Sequence, residues 1–156
     1  MNLAQVISPP TNVEWNGVVY RFHPLRDRDY GEWEAWLQDQ YITRIKRNVS
    51  GLSDVDRQRQ LDRVFDKVHQ ITLSSPASTQ AMGTLEGVGF MYWLSLRREM
   101  PDLTISDVLS LVTNAAFLNA AIDAFNLANA RALGAEKKHL RVRKKSPSKK
   151  RRSISR

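Results

Sequence analysis

The sequence predicts a mainly α-helical fold: a small helical domain of about five helices, with an N-terminal two-stranded β-hairpin and a disordered, basic C-terminal tail. Apolar residues recur at helical spacing through most of the chain, as they do in amphipathic helices. An Asn-Gly pair between two alternating segments indicates the hairpin. Composition changes abruptly to Lys, Arg and Ser after Gly134. The expected organisation is a flexible segment at 1–11, the helical domain with its hairpin at 12–134 and the tail at 135–156.

The hairpin is the best-defined local feature. Asn16-Gly17 suits a two-residue type I′ turn, because both central residues of such a turn need positive φ. The turn fixes the register and places most apolar residues of the two strands on one face. Two strands alone are marginally stable in water, so this face should pack against helices. The predicted pairs are Trp15 with Val18, Val13 with Tyr20, and Thr11 with Phe22.

Helix starts and stops follow from capping signals. Asp27 suits the N-cap of the first helix, and Ser53 with Asp56 forms a near capping box for the second. Thr104 with Asp107 repeats this signature for a short fourth helix. Ser74 to Thr79, with Pro76 inside it, is expected to be a linker. The predicted helices are about Arg28 to Arg47, from Ser53 onward, Ala81 to Glu99, from Thr104 through Val112, and from about Asn114 to a C-terminal cap at Leu133-Gly134.

The apolar pattern predicts which helix lies at the centre. The segment from Ala81 to Glu99 is apolar nearly all round, which is typical of a central helix. Its three glycines are interpreted as positions of close backbone packing. The second and last helices show one apolar stripe each. The glycines are Gly83, Gly87 and Gly89, and the stripes are Leu61, Val64, Phe65, Val68 and Ile71, then Phe117, Leu118, Ala121, Ile122, Phe125 and Ala128.

The sequence contains no recognisable catalytic, metal or cofactor motif. The three histidines, His23, His69 and His139, do not have the spacing of metal ligands. The glycine-rich segment lacks the preceding strand and the Lys-Ser/Thr ending of a phosphate-binding loop. Paired carboxylates lie at helix starts, where capping and the helix dipole explain them. The chain contains no cysteine, which excludes disulfides and thiolate chemistry and suits a reducing compartment. We therefore expect a non-enzymatic protein without cofactor.

Targeting and membrane signals are also lacking. The first ten residues have no basic start and no long apolar run. The most apolar stretch, Val88 to Leu96, is much shorter than the ~20 residues that a membrane span requires. We expect a soluble, intracellular protein with no membrane partner.

The positive charge is concentrated in the tail. Eleven of the 24 Lys and Arg residues lie between Lys137 and Arg156 beside a single acid, Glu136, whereas residues 1–134 hold 13 basic and 15 acidic residues. Such a tail could bind nucleic acid weakly and without sequence preference, could engage an acidic protein surface, or could be a solubilising extension. These three interpretations stay open. The candidate polyanion-binding residues are Lys144, Lys145, Lys149, Lys150, Arg151 and Arg152.

The order of these elements resembles one known family. A short hairpin leads into Phe22-His23-Pro24-Leu25-Arg26-Asp27 and a helix with Trp36-Leu37. A variable amphipathic helix follows, then Thr84-Leu85-Glu86-Gly87-Val88-Gly89-Phe90-Met91-Tyr92-Trp93 and Met100-Pro101-Asp102-Leu103-Thr104, and a closing helix. Over about residues 12 to 130 this layout is similar to that of the tail assembly chaperones of long-tailed bacteriophages, the lambda G type of tail protein.

The resemblance implies a function and partners. It implies a chaperone that binds the long, helical tape measure protein, helps to recruit tail tube protein around it, and leaves before the tail is finished. The expected location is the cytoplasm of the infected bacterium, with the protein absent from the mature virion, and a homo-oligomer is possible. The basic tail departs from the compact short form of the family. Candidate partner-binding residues, chosen by size and helical placement, are Trp36, Tyr41, Met91 and Trp93.

Two other classes of function remain. A nucleic-acid-associated protein would use the basic tail as its electrostatic contact. A structural virion subunit, such as a connector or a tail component, would use the same tail to reach its neighbours in the particle. Binding of DNA at physiological salt would distinguish the first, and detection in purified particles the second.

Overall fold

The structure, a computed structural model, describes the backbone of residues 10–144 and the side chains of residues 10–130. Within this range a two-stranded sheet is followed by six helices, which confirms the mainly helical fold with an N-terminal hairpin. Residues 1–9 of the expected flexible segment and the tail from residue 145 lie outside the described residues. The elements are β1 (Thr11–Trp15), β2 (Val18–Phe22), α1 (Asp27–Asn48), α2 (Asp54–Val68), α3 (Pro76–Met82), α4 (Leu85–Leu96), α5 (Ile105–Val112) and α6 (Ala115–Lys144).

The hairpin has the predicted register at every pair from Thr11–Phe22 to Trp15–Val18. Asn16 and Gly17 adopt φ of 51° and 76°, the positive values of a type I′ turn. The apolar face packs on aromatic side chains of the helices. Tyr20 meets Phe117 edge-to-face with ring centroids 5.3 Å apart. The prediction that this face needs helical support is therefore confirmed.

Two clusters of buried residues form the core. The first, called here the hairpin core, joins the two strands to α4, α5 and α6. The second, called the α1 core, joins α1 to the other side of α4. Helix α4 contributes to both, so the prediction of a central apolar helix is confirmed. A reciprocal pair of hydrogen bonds fixes it to the hairpin: the His23 N–H donates to the Ser95 carbonyl, and the Ser95 hydroxyl donates to the His23 carbonyl.

Helix α1 begins one residue earlier than expected. Its N-cap is Arg26, and Asp27 is the first helical residue, so the prediction of Asp27 as N-cap is wrong. The Asp29 carboxylate accepts the Arg26 N–H at 2.8 Å, which satisfies a donor that the helix itself cannot pair. The other predicted caps, Ser53 and Thr104, are confirmed, and Thr104 forms a complete capping box with Asp107.

The predicted linker and the start of the predicted central helix are corrected by the structure. Pro76 is not in a loop but is the first residue of the short helix α3. An N–H at this position has no acceptor within the helix, so proline, which lacks the N–H, costs no hydrogen bond there. The single helix expected from Ala81 is interrupted at Gly83 and begins again after Thr84. The Thr84 hydroxyl accepts the N–H of Gly87 at 3.1 Å. This local cap therefore overrides the continuous apolar pattern.

Helix α6 extends ten residues beyond its predicted cap at Gly134 and ends at Lys144. The predicted C-terminal cap at Leu133-Gly134 is therefore wrong, and the segment expected to be disordered from residue 135 is helical as far as Lys144. One glycine inside a helix costs only about 1 kcal/mol relative to alanine. The following Ala135-Glu136-Lys137-Lys138 consists of residues with high helix propensity, which offsets that cost.

Two residues of the predicted apolar stripes are exposed. Phe65 on α2 is 56% exposed and Ile122 on α6 is 39% exposed, although both fit the helical spacing of their buried neighbours. The buried face of α2 is narrower than its apolar pattern, with Val64 and Val68 facing the rest of the protein. Helical spacing places a residue on a side of the helix, but the neighbouring elements determine how much of that side is covered.

Candidate functional site

An open cleft of about 140 Å³ lies between α1, α3 and the first turn of α4. Its walls are mainly apolar and its rim is polar, as is usual for sites that bind an apolar group and orient it. The apolar lining consists of Trp36, Leu37, Tyr41, Ile71, Ala77 and Ala81. The polar lining consists of Gln40, Arg44, Gln80, Thr84 and Glu86.

Trp36 is held rigidly at this cleft by two stacked aromatic neighbours. Its ring stacks on Trp33 with centroids 5.1 Å apart and on Phe90 with centroids 4.9 Å apart. Trp33 is fully buried, and its indole N–H donates to the hydroxyl of Ser78 on α3 at 2.9 Å. The half-buried Trp36 therefore presents its remaining surface to the cleft from a fixed position.

The break between α3 and α4 forms the cleft wall. At Gly87 the two helices are so close that a Cβ added there would lie 2.0 Å from the Ala81 carbonyl oxygen. The predicted role of Gly87 in close packing is confirmed, and Gly89 similarly leaves room for Leu109. The sequence pattern did not identify the lining residue Ala77 of α3, because Ser74 to Thr79 was interpreted as a linker. The signal was Ser75-Pro76, an N-cap followed by proline at the first helical position.

An ion network fastens α4 to the N-terminal half of α1. The Asp29 carboxylate is buried and accepts hydrogen bonds from Arg97 at 3.0 Å and from Arg98 at 2.7 Å. Arg97 also donates to Glu32, and its guanidinium lies 4.8 Å from the centre of the Trp93 ring. The network sets the position of α4 along α1, and with it the contact between Phe90 and Trp36.

The contribution of Glu32 to the stability of the protein should depend on pH. Hydrogen bonding from Arg97 lowers the pKa of the Glu32 carboxyl; burial opposes the shift and Arg28 reinforces it. A carboxyl with a lowered pKa stabilises the folded state above its unfolded pKa, and this contribution is lost as pH falls through the folded pKa. Glu32→Gln should therefore flatten the acid limb of stability. The free energy of unfolding in urea, measured for both proteins between about pH 2 and pH 7, tests this prediction. The same pH dependence in Glu32→Gln as in the original protein would contradict it.

The structure brings two of the four predicted partner-binding residues together. Trp36 and Tyr41 line the same cleft. Met91 is only 8% exposed and belongs to the α1 core, so its prediction as a surface contact is corrected. Trp93 is half-buried outside the cleft lining, and its indole N–H donates to the Leu103 carbonyl at 2.8 Å. The predicted polyanion-binding side chains, Lys144 to Arg152, lie outside the described residues.

One surface cluster of charged groups links the hairpin to the turn after α4. His23 Nε2 lies 3.0 Å from Glu99, which also pairs with Arg21 at 2.8 Å on the protein surface. In the described part of the chain, no group of three or more His, Asp or Glu residues is arranged to hold a metal ion. No single helix in the same part is long and apolar enough to cross a membrane.

Comparisons with protein-family models, with curated proteins and with solved structures find no significant match to this chain. The aromatic cleft and the order of the elements along the sequence are the two features of the chain that bear on its function.

Proposed function

We propose that the protein is a bacteriophage tail assembly chaperone whose cleft binds apolar side chains of an amphipathic helix in the tape measure protein. The observation that carries the proposal is the pair Trp36 and Tyr41 on one open, apolar cleft. The client identity rests on the resemblance in element order described above. The protein would act without catalysis in the infected cell, holding the client soluble while tail tube protein assembles around it.

The cleft suits a helical client for physical reasons. A helix bound in a groove uses a few apolar anchors at helical spacing, and the groove supplies matching apolar walls. Trp and Tyr are effective in such sites because they bury large areas while few side-chain torsion angles become fixed on binding. Trp36 is already fixed by its stacking on Phe90, so binding costs little further entropy there.

Exposed apolar residues extend this surface beyond the cleft. Met82 is 41% exposed and Leu85 is 49% exposed, and both flank lining residues at the α3–α4 break. Leu73, which follows the lining residue Ile71 by two positions, is 38% exposed. A longer client helix could contact these residues while its central side chain occupies the cleft.

Truncating both cleft aromatics should release the client. We expect Trp36→Ala with Tyr41→Ala to weaken binding of co-expressed tape measure protein by about 30-fold or more, because truncating an interface residue that anchors binding costs more than about 1 kcal/mol. Affinity co-purification and titration with a purified client fragment measure the loss. Phe65→Ala, which removes an exposed aromatic on α2 away from the cleft, is the matched control and should bind normally.

A second variant separates binding from folding. Trp36 stacks in the α1 core, so its truncation also lowers stability. Gln80→Trp instead fills the cleft from an exposed position on α3 and removes no core contact. Circular dichroism should show a folded protein that no longer captures the client. Normal capture by Gln80→Trp would remove the cleft from the proposal.

Nucleic-acid binding is a second candidate function, favoured by the concentration of eleven Lys and Arg residues between Lys137 and Arg156. Binding through such a segment should be independent of sequence and should weaken steeply with salt. A gel shift with duplex DNA at about 150 mM salt distinguishes it from the chaperone function. Tight binding that disappears when Lys149, Lys150, Arg151 and Arg152 are changed to Glu would favour this second candidate.

A further inference from the structure

Among the described residues, the outer edge of β1 is a row of backbone groups without hydrogen-bond partners. In a hairpin with a two-residue turn, the residues flanking the turn exchange hydrogen bonds, and the pattern alternates along the strand. Trp15, Val13 and Thr11 therefore pair with β2, whereas the N–H and C=O groups of Asn12 and Glu14 point to the free edge. Within residues 10–130 no other group bonds to them. Such an edge accepts an added extended segment.

An open groove of about 400 Å³ runs between this edge and α6. Its apolar floor includes Val13, Ala124 and Leu127, and Leu127 is 44% exposed. The Thr11 hydroxyl in the groove is buried and has no hydrogen-bond partner among the described residues. A segment with free backbone donors and acceptors would satisfy both the edge and this hydroxyl.

The charge of the groove selects the kind of segment. Two exposed acidic residues, Glu14 on β1 and Asp123 on α6, border the groove, and no Lys or Arg of the described residues lines it. A basic segment would neutralise both carboxylates. Pairing of two β1 edges would instead gather the acids of both copies, which repel. The same chain carries the complementary segment, Lys149-Lys150-Arg151-Arg152, and residues 148–156 hold no proline to interrupt an added strand.

The basic segment cannot easily reach the groove of its own chain. From Leu127, the last groove residue on α6, the helix continues for 17 residues to Lys144, which is about 26 Å. Arg152 is eight residues beyond Lys144 and reaches about 26 Å when fully extended. If the segment from Lys144 to Arg152 turned back along α6, its full extended length would bring Arg152 only level with Leu127. No residues would be left to form the turn or to reach Asp123. A neighbouring molecule imposes no such limit.

We propose that the basic segment Lys149–Arg152 of one molecule binds the β1 edge groove of a second copy, next to Glu14 and Asp123. The contact is heterologous, since a tail meets an edge, and it forms either chains or a reciprocal dimer. Backbone hydrogen bonds to Asn12 and Glu14 give the segment its extended form, and the four cations supply the electrostatic attraction. The association is independent of the aromatic cleft and of its proposed client.

Charge reversal with rescue tests this contact in the full-length chain. Glu14→Lys with Asp123→Lys should reduce self-association at least tenfold in sedimentation velocity at about 50 mM salt, where exposed charges interact over longer distances. Changing Lys149, Lys150, Arg151 and Arg152 to Glu should have the same effect. Combining both sets of changes in one chain should restore association. Asp62→Lys with Asp66→Lys on the exposed side of α2 is the control of equal charge change and should associate like the original protein.

Zero-length carbodiimide cross-linking provides an independent measurement on the unaltered protein. In an equal mixture of ¹⁴N and ¹⁵N chains, we expect mixed-isotope peptides that join Lys149 or Lys150 to Glu14 or Asp123. Cross-links confined to single-isotope peptides would overturn the contact between copies. So would a protein that stays monomeric at low salt, or one whose association survives reversal of the four basic residues.

Discussion

Replacing Gly87 by alanine should lower the free energy of unfolding by about 3 kcal/mol, which is the upper range for forcing atoms into a packed core. The added Cβ would lie 2.0 Å from the Ala81 carbonyl oxygen, 2.7 Å from the Ala81 carbonyl carbon and 3.2 Å from the Trp33 ring. The first two atoms belong to the backbone, so no rotamer change relieves the clash. Helix α3 would have to move away from α4.

A glycine in open surroundings provides the control for this effect. Gly31 lies in α1 and is exposed, and a Cβ added there would have no neighbouring atom within 4 Å. Gly31→Ala should therefore stabilise the protein by up to about 1 kcal/mol through helix propensity. Urea unfolding followed by circular dichroism measures both variants. Equal stabilities for the two alanine variants would contradict the close approach of α3 and α4. Binding of the proposed client should weaken with the Gly87 substitution as well, because Ala77 and Ala81 form one cleft wall.

Asp29→Ala should have an effect of similar size, a loss of about 2–4 kcal/mol of unfolding free energy. The substitution removes the shared acceptor of Arg97 and Arg98 and leaves both guanidiniums, each about one fifth exposed, without this carboxylate. It also removes the acceptor of the Arg26 N–H at the start of α1. An unpaired, partly buried charge is more harmful than the absence of the whole ion pair.

An exposed acid on the same helix serves as the reference for Asp29. Asp39 is exposed and forms no side-chain hydrogen bond or ion pair with the described residues, so Asp39→Ala should change stability by less than about 0.5 kcal/mol. Chemical denaturation at neutral pH measures both variants. Replacing Arg97 and Arg98 by Met in the Asp29→Ala background should recover part of the loss, since it removes the unpaired charges. No recovery would indicate that capping of α1 dominates the role of Asp29.

The hairpin and the helix starts at Ser53 and Thr104 could be predicted because their causes are local. Asn16-Gly17 determines the turn, and the alternating apolar residues support the same register. Ser53 and Thr104 cap their helices within four residues of sequence. Where two local signals compete, the prediction failed. At Thr84 the apolar pattern favoured one long helix, while the cap and Gly83 favoured a break, and the close packing at Gly87 requires the break.

The candidate site could be predicted only in part because it depends on distant contacts. The size and spacing of Trp36 and Tyr41 identified them as candidates, and both line the cleft. Met91 has the same properties but faces the α1 core, which no local pattern reveals. The Asp29–Arg97 pair joins residues 68 positions apart, and each residue alone is an ordinary charged residue of a helix. Its contribution to positioning α4 becomes visible only in three dimensions.

The packing of the hairpin against the last helix has a consequence for synthesis on the ribosome. Tyr20 finds its aromatic partner Phe117 only 97 residues later in the chain. During translation the apolar face of the hairpin leaves the ribosome long before α6, the helix that covers it. Exposed apolar strands promote aggregation. The hairpin should therefore complete its packing only after α6 has left the ribosome, and chains stalled before α6 should depend on cellular holdases.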